Sequence, residues 1–109
     1  MNNPDFQFFL LPLLEALRDG EMHSSAYLED ELSMYVDYSD DRYNFFIGGN
    51  SNPAFMNALS LANHHLMRAG LVESPLDHQC RITALGKMVL SKRLNSLDTA
   101  YLERMPGYN

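Results

Sequence analysis

Histidine and cysteine are common metal ligands and nucleophiles, and their spacing in this sequence favours neither a metal site nor a nucleophilic centre. The histidines are His23, His64, His65 and His78, and the single cysteine is Cys80. Two adjacent histidines on a helix point about 100° apart, so they do not form a chelating pair. One cysteine cannot build a structural zinc site. No serine lies in a nucleophile elbow, and no glycine pair is followed by the lysine of a phosphate loop. We expect no metal, no cofactor and no catalytic activity.

A row of polar side chains on one predicted helix points instead to DNA recognition. Residues 53–69 predict a helix that Pro53 opens and Gly70 closes. At about 100° per residue, the core face holds Phe55, Leu59, Ala62, Leu66 and Ala69. The opposite face holds Asn57, Ser60, His64 and Arg68. Such donors and acceptors suit the reading of base edges, although an ordinary solvated helix face has the same composition.

Charge is unevenly distributed along the 109 residues, whose formal net charge is −6. Residues 1–50 carry ten acidic and two basic side chains, and residues 51–109 carry four acidic and six basic ones. A polyanion responds to the local field, so the second half can bind DNA through a few cations. We expect phosphate contacts from Arg68, Arg81 and Lys87, with His78 close to the phosphates. The acidic first half would face away.

Length and composition restrict the class of protein. A chain of 109 residues fits one domain, and 46% hydrophobic with 20% charged residues is typical of globular proteins. No run approaches the roughly 20 apolar residues of a membrane span, and the N-terminus lacks the basic leader of a signal peptide. A single cysteine suits a reducing compartment. We expect one cytoplasmic domain over residues 1–109, without a membrane partner.

Two helices precede the helix that carries the polar row. The first is predicted over residues 5–19, where apolar side chains recur at three- and four-residue steps. Pro12 interrupts this pattern, so the regular helix either begins beside the proline or bends at it. The second is predicted over residues 26–36, after a serine pair that can cap it. Residues 38–52 look like a loop that contains a short strand at 45–47.

A β-hairpin follows the polar-row helix. Residues 71–74 and 79–82 read as its strands, with a turn at residues 75–78. Alternation in the second strand points Cys80 inward and Arg81 outward. Cys80 is therefore interpreted as a small core residue and not as a nucleophile.

The C-terminal part, residues 91–109, is predicted as a helical extension. Thr83 caps a fourth helix that reaches about Leu94, and a short last helix follows. The apolar stripe of that last helix consists of Leu97, Tyr101, Leu102 and Met105. The stripe either folds back on the domain's own core or forms the contact of a homodimer, in which two weak half-site contacts would add. We take the homodimer as a hypothesis.

Helix, helix, helix, hairpin and helix is the order of a winged helix–turn–helix. The sequence therefore predicts an α+β, mostly helical domain with a small β-hairpin as its wing and a C-terminal helix. In this fold the third helix enters the major groove. Other small α+β domains share the order.

An ordered set of stretches runs along nearly the whole chain. In chain order they are Leu11-Pro12-Leu13-Leu14, Asp19-Gly20, His23-Ser24, Phe55, Asn57, Ala62, Leu66, Ala69-Gly70-Leu71, Glu73-Ser74-Pro75, Ile82-Thr83, Gly86, Leu102 and Met105-Pro106. This set resembles the N-terminal winged-helix domain of Mrr-type restriction endonucleases. The resemblance implies a DNA-binding module that normally precedes a metal-dependent nuclease domain, in enzymes that cut modified DNA. Because the sequence lacks an acidic pair followed by Glu-x-Lys, we expect DNA binding without cleavage.

The chain departs from the family pattern at two places. Ala58 and Leu61 stand where the third helix of the family tends to carry arginine and an aromatic residue. Leu76, Asp77 and His78 replace a basic, glycine-containing wing tip. Fewer cations mean fewer phosphate contacts. An alternative function is therefore an acidic winged-helix adaptor or inhibitor that binds a protein and has lost DNA binding. A third is a nuclease subunit that works with a separate chain.

Overall fold

The computed structural model describes residues 6–35 and 53–108, and in these ranges the α+β winged-helix prediction is confirmed. After a 3-10 turn at Phe6–Phe9, the elements are α1 Leu10–Ala16, β1 His23–Ser24, α2 Ser25–Tyr35, α3 Pro53–Arg68, β2 Val72–Leu76, β3 Gln79–Ile82, α4 Ala84–Ser91 and α5 Thr99–Leu102. The predicted loop at 38–52 lies outside the described residues. Within them, no helix is long and apolar enough to cross a membrane.

The start of the chain accommodates Pro12 by placing it in the first turn of α1. The 3-10 turn leads directly into α1, so Pro12 is the third α-helical residue. Amides of the first turn have no intrahelical acceptor, and a proline there removes no hydrogen bond. The bounds predicted for this helix are wrong, because α1 ends at Ala16. Gly20 follows in the left-handed conformation, with φ at 80°.

Helix α2 begins at the edge of the sheet. The Oγ atom of Ser24 accepts a hydrogen bond of 3.1 Å from the amide of Tyr27, so Ser24 is the N-cap. The same serine belongs to β1, which pairs with β3 in antiparallel orientation. The sequence pattern did not predict this strand. The amide of Ser25 also donates to the carbonyl of His78 at 2.9 Å, which attaches the start of α2 to the hairpin turn.

Helix α3 lies against the domain through its predicted apolar face. The buried residues of this face are Phe55, Leu59, Ala62, Leu66 and Ala69. The ring of Phe55 meets that of Phe9 edge-on, with 5.5 Å between centroids. Beyond Arg68, the amides of Gly70 and Leu71 donate back to last-turn carbonyls at 3.0 Å, and Gly70 has φ at 80°. This Schellman motif ends α3 one residue earlier than predicted.

The hairpin forms one side of a three-stranded sheet in the order β1-β3-β2. As predicted, Cys80 and Ile82 are buried, and Gln79 and Arg81 are exposed. The inward side chains join the hydrophobic core. Strand β2 packs against α3, and β3 packs against α4.

The turn of the hairpin is shorter than predicted. Pro75 and Leu76 belong to β2, and only Asp77 and His78 connect the strands. The register shifts between Glu73 and Leu76, which places Pro75 at an irregularity of an edge strand. A proline is tolerated there because the ladder does not need its missing N–H.

Thr83 connects the hairpin, α4 and the end of α3. Its Oγ1 accepts from the amide of Gly86 at 3.1 Å, and its hydroxyl donates to the carbonyl of Gly70 at 2.6 Å. The predicted cap is therefore confirmed. Gly86 lies directly against the carbonyl oxygen of Leu71, with no space for a Cβ atom. The bond and the close approach fix α4 to the turn that follows α3.

The C-terminal segment folds back on the domain. Helix α4 ends at Ser91, short of the predicted Leu94, and Arg93 follows with φ at 54°. Of the apolar stripe, Leu97 and Leu102 are buried, while Tyr101 and Met105 are partly buried against the same core. The stripe that motivated the homodimer hypothesis thus covers the domain's own core, and the homodimer itself stays a prediction.

Candidate nucleic-acid interface

The polar side of α3 is open to solvent. Its four predicted contact residues, Asn57, Ser60, His64 and Arg68, are all exposed. They lie opposite the face that Phe55 anchors in the core, so the helix offers amide, hydroxyl, imidazole and guanidinium groups to a partner.

Two adjoining clefts flank this row. One, of about 380 Å³, lies between the start of α2 and α3, and the other, of about 280 Å³, lies between α3 and the hairpin. Both are lined by Ser25, Ser60, Asn63 and His78. The structure therefore brings His78 of the wing next to Asn57, Ser60 and His64 of α3.

Asn63 and Ser25 are among the residues of these clefts that the sequence did not identify as site residues. Asn63 is three residues from Ser60, a spacing that places both on one side of a helix and could have revealed it. The Oδ1 atom of Asn63 is buried and has no hydrogen-bond partner in the described part of the chain, while its Nδ2 donates to the sulfur of Met67 at 3.7 Å. Ser25 had no local signal, because it reaches the site through the pairing of β1 with β3.

Arg68 is exposed but engaged by the C-terminal segment. Its Nη2 donates to the carbonyl of Tyr108 at 2.7 Å, and the guanidinium carbon lies 4.7 Å from the centre of the Tyr108 ring. A guanidinium has five N–H donors, so this bond leaves others for an anion. The contact restricts where the cation can point.

His65 joins the two ends of the described chain, a role that the sequence did not suggest. Its ring stacks on Phe6 with 4.5 Å between centroids, and its Nδ1 lies 2.7 Å from the hydroxyl of Tyr108. Desolvation by burial lowers the pKa of His65, and the charges of Arg68 and His64 lower it further. The lowered pKa favours the neutral imidazole, in which a ring nitrogen can accept from the Tyr108 hydroxyl.

The stability that His65 contributes is expected to fall as the pH drops below about 6.5, its usual pKa. Because the pKa is lower in the folded state, the unfolded chain takes up the proton first, and acid favours unfolding. His65→Phe keeps a ring against Phe6 and removes the titration. Its free energy of unfolding should therefore change less between about pH 7 and about pH 5. Urea unfolding at both values measures this, and equal changes in the two chains would contradict it.

Arg81 and Lys87 lie apart from the two clefts. The Nε atom of Arg81 donates to a carboxylate oxygen of Glu73 on the neighbouring strand, and both side chains are about half exposed. Lys87 is exposed on α4. Its Nζ atom lies close to Gly20, since a Cβ atom added to that glycine would be 3.0 Å from it. The structure does not gather the three predicted phosphate contacts in one cleft.

The described ranges contain no cluster of metal-ligating side chains. No three histidine, cysteine, aspartate or glutamate side chains of residues 6–35 and 53–108 come together as metal ligands. Cys80 is buried, and desolvation raises the pKa of its thiol, which disfavours the reactive thiolate. This agrees with its interpretation as a core residue.

Comparison with known proteins gives one family. The sequence model of the family described as the Mrr N-terminal domain matches residues 6–92. The match extends from the 3-10 turn through α4 and leaves the segment with α5 and Tyr108 outside. No curated protein and no solved structure matches the chain.

Proposed function

Because the chain belongs to the Mrr N-terminal domain family, we propose that it is a non-catalytic winged-helix module that binds double-stranded DNA. Helix α3 enters the major groove, and the hairpin wing lies beside it on the duplex. The module serves a restriction system and acts in the cytoplasm, where its single cysteine stays reduced.

The observation that carries this proposal is the exposed polar row of α3 beside the wing. Asn57 can accept from and donate to the edge of adenine, and the hydroxyl of Ser60 pairs with several bases. His64 lies one turn further along, and His78 reaches the same surface from the hairpin. These four groups have the donors and acceptors that sequence reading in a groove requires.

Phosphate contacts come from Arg68, Arg81 and Lys87, which set the position of the module on the duplex without reading sequence. Arg68 is already oriented by its bond to Tyr108. Arg81 must give up part of its pairing with Glu73 before it can meet a phosphate. The expected affinity is therefore modest.

We expect the affinity for DNA to fall as the salt concentration rises, to the extent that three phosphate contacts predict. A plot of log K against log salt concentration should have a slope of about −3. Arg68→Ala, Arg81→Ala and Lys87→Ala should each reduce the magnitude of that slope by about one. Fluorescence anisotropy of a labelled duplex over a salt series measures both quantities.

Arg104→Ala is the matched control. Its guanidinium lies over the ring of Tyr101 in the C-terminal segment. Arg104 is not one of the proposed phosphate contacts, so the slope should not change. If neither methylated nor unmethylated duplex binds at low salt, the proposed function is wrong.

The second candidate function is a protein adaptor or inhibitor with an acidic surface. It is favoured by the pairing of Arg81 with Glu73 and by Asp77 at the exposed turn of the wing, because both reduce the positive field that a phosphate meets. Affinity capture that recovers one basic protein in equal amount, and no nucleic acid, would support this function and contradict DNA binding.

The homodimer remains part of the proposal as a way to add two weak half-site contacts. Its interface has to come from surfaces other than Leu97 and Leu102, the buried residues of the apolar stripe. Analytical ultracentrifugation decides: a monomer at tens of micromolar contradicts it.

A further inference from the structure

The larger cleft beside α3 has a polar rim and a partly apolar floor. The exposed residues at its rim are Ser25, Asn57, Ser60 and His78. Deeper in the cleft lie the buried side chains of Leu28 and Leu59 and the half-buried Asn63. A polar rim above a partly apolar floor suits a flat ring that has hydrogen-bonding groups along its edge. It suits a wholly apolar or a wholly charged ligand less well.

The size and charge of the cleft narrow the class of ligand. Its volume of about 380 Å³ lies at the small end of ligand pockets, which hold one compact group. Among the described residues that line it, Glu29 carries the carboxylate, and no lysine or arginine is present. A phosphate would meet a negative charge without a compensating cation. A neutral ligand with amino groups would find the Glu29 carboxylate as an acceptor.

Asn63 adds a specific requirement for a donor. Its amide oxygen is buried beside the cleft and has no hydrogen-bond partner in the part of the chain that the structure describes. A buried acceptor without a donor costs free energy, and an N–H group of a ligand would remove that cost after a small rotation of the amide.

We propose that the cleft between α2 and α3 accepts one nucleobase that has left the stack of bound DNA. This inference rests on the proposed function, because it assumes that α3 already lies along the duplex. The rim residues Asn57 and Ser60 are shared between the two roles, so a base that leaves the helix opposite α3 reaches the cleft directly. There the Leu28 and Leu59 side chains contact its face, while Asn63 and Glu29 contact its edge.

Fluorescence of 2-aminopurine at the centre of a duplex tests the proposal with the full chain. This base is quenched while stacked, so its emission should rise several-fold on binding. A duplex with a central mismatch should bind about tenfold more tightly than a fully paired one, because an unpaired base costs less to extrude. Anisotropy of the same duplexes reports binding separately from extrusion.

Asn63→Leu removes the amide and keeps a side chain of similar size. We expect it to abolish the rise in emission and the preference for the mismatch, while it still binds the paired duplex through the polar row of α3 and the wing. Asn95→Leu is the control, since Asn95 is exposed in the segment between α4 and α5. It should behave as the parent chain in every assay. Circular dichroism of both variants verifies that they fold.

A titration with free cytidine and adenosine, followed by NMR, tests the cleft without duplex binding. The amide signals of Ser25, Ser60 and Asn63 should shift, and those of α4 should not. Duplex binding with unchanged 2-aminopurine emission and no mismatch preference overturns the inference and leaves the proposed function standing. If no duplex binds at all, the proposed function fails, and absence of nucleoside shifts then removes the base site as well.

Discussion

Substitution of Gly86 by alanine is expected to lower the free energy of unfolding by about 3 kcal/mol, although alanine is normally the better helix former. The new Cβ would overlap the carbonyl oxygen of Leu71 and lie 2.6 Å from the Cγ1 atom of Ile82. A backbone oxygen cannot move to another rotamer, so α4 itself would have to shift. The melting temperature should fall by about 10 °C or more, which calorimetry measures.

Gly107→Ala is the matched control for this prediction. A Cβ at Gly107 would lie 3.5 Å from the carbonyl oxygen of Arg68, an ordinary contact distance, and Gly107 is exposed. Its effect on stability should stay within about 0.5 kcal/mol. If the Gly86→Ala chain is as stable as the Gly107→Ala chain, α4 does not pack directly against the carbonyl oxygen of Leu71.

Truncation of Leu66 to alanine is expected to cost about 3–5 kcal/mol. Leu66 is completely buried on the core face of α3. Its removal leaves a cavity in the hydrophobic core to which α3 contributes. Domains of this size have a total stability of about 5–15 kcal/mol, so the loss would be a large part of it. Urea unfolding of the purified chain measures the change.

Leu61→Ala makes the same change on the same helix at a position that is 44% exposed. We expect a change of about 0.5 kcal/mol or less, because little area is lost and no closed cavity forms. Similar costs for Leu61→Ala and Leu66→Ala would mean that α3 does not face the core as described, and the assignment of its polar row would fail with it.

Local patterns were sufficient to predict α3 and the inner side of the hairpin. In α3 the apolar residues recur at helical spacing between a proline and a glycine, and each end signal acts on the backbone next to it. The alternation of polar and apolar residues in the second hairpin strand predicted that Cys80 is buried, because neighbouring side chains of a strand point to opposite faces.

Elements that depend on distant partners could not be predicted in this way. The two residues of β1 are too few to show a strand pattern. They form a strand because they pair with the edge of β3 that faces away from β2. Pro12 left two interpretations open, which only the 3-10 turn before α1 decides. The end of α4 at Ser91 and the left-handed Arg93 likewise have no signal comparable to a glycine.

The sequence predicted the residues of the candidate site that lie on α3. It did not predict those that other elements bring to the same surface. Helical spacing identified Asn57, Ser60 and His64 as one row. The cleft beside them needs Ser25, which is far away in sequence. The hydrogen bond from Arg68 to Tyr108 joins residues that are 40 positions apart, and no local sequence pattern links these two positions.

The attachment of β1 to the hairpin also bears on the thermodynamics of any association. Because β1 and the first amide of α2 are hydrogen-bonded to β3 and its turn, the wing and the helices form a preorganised surface. Little conformational entropy then remains to be lost when a partner docks, so more of the contact enthalpy is retained as affinity. A small module with few cations benefits most from such rigidity.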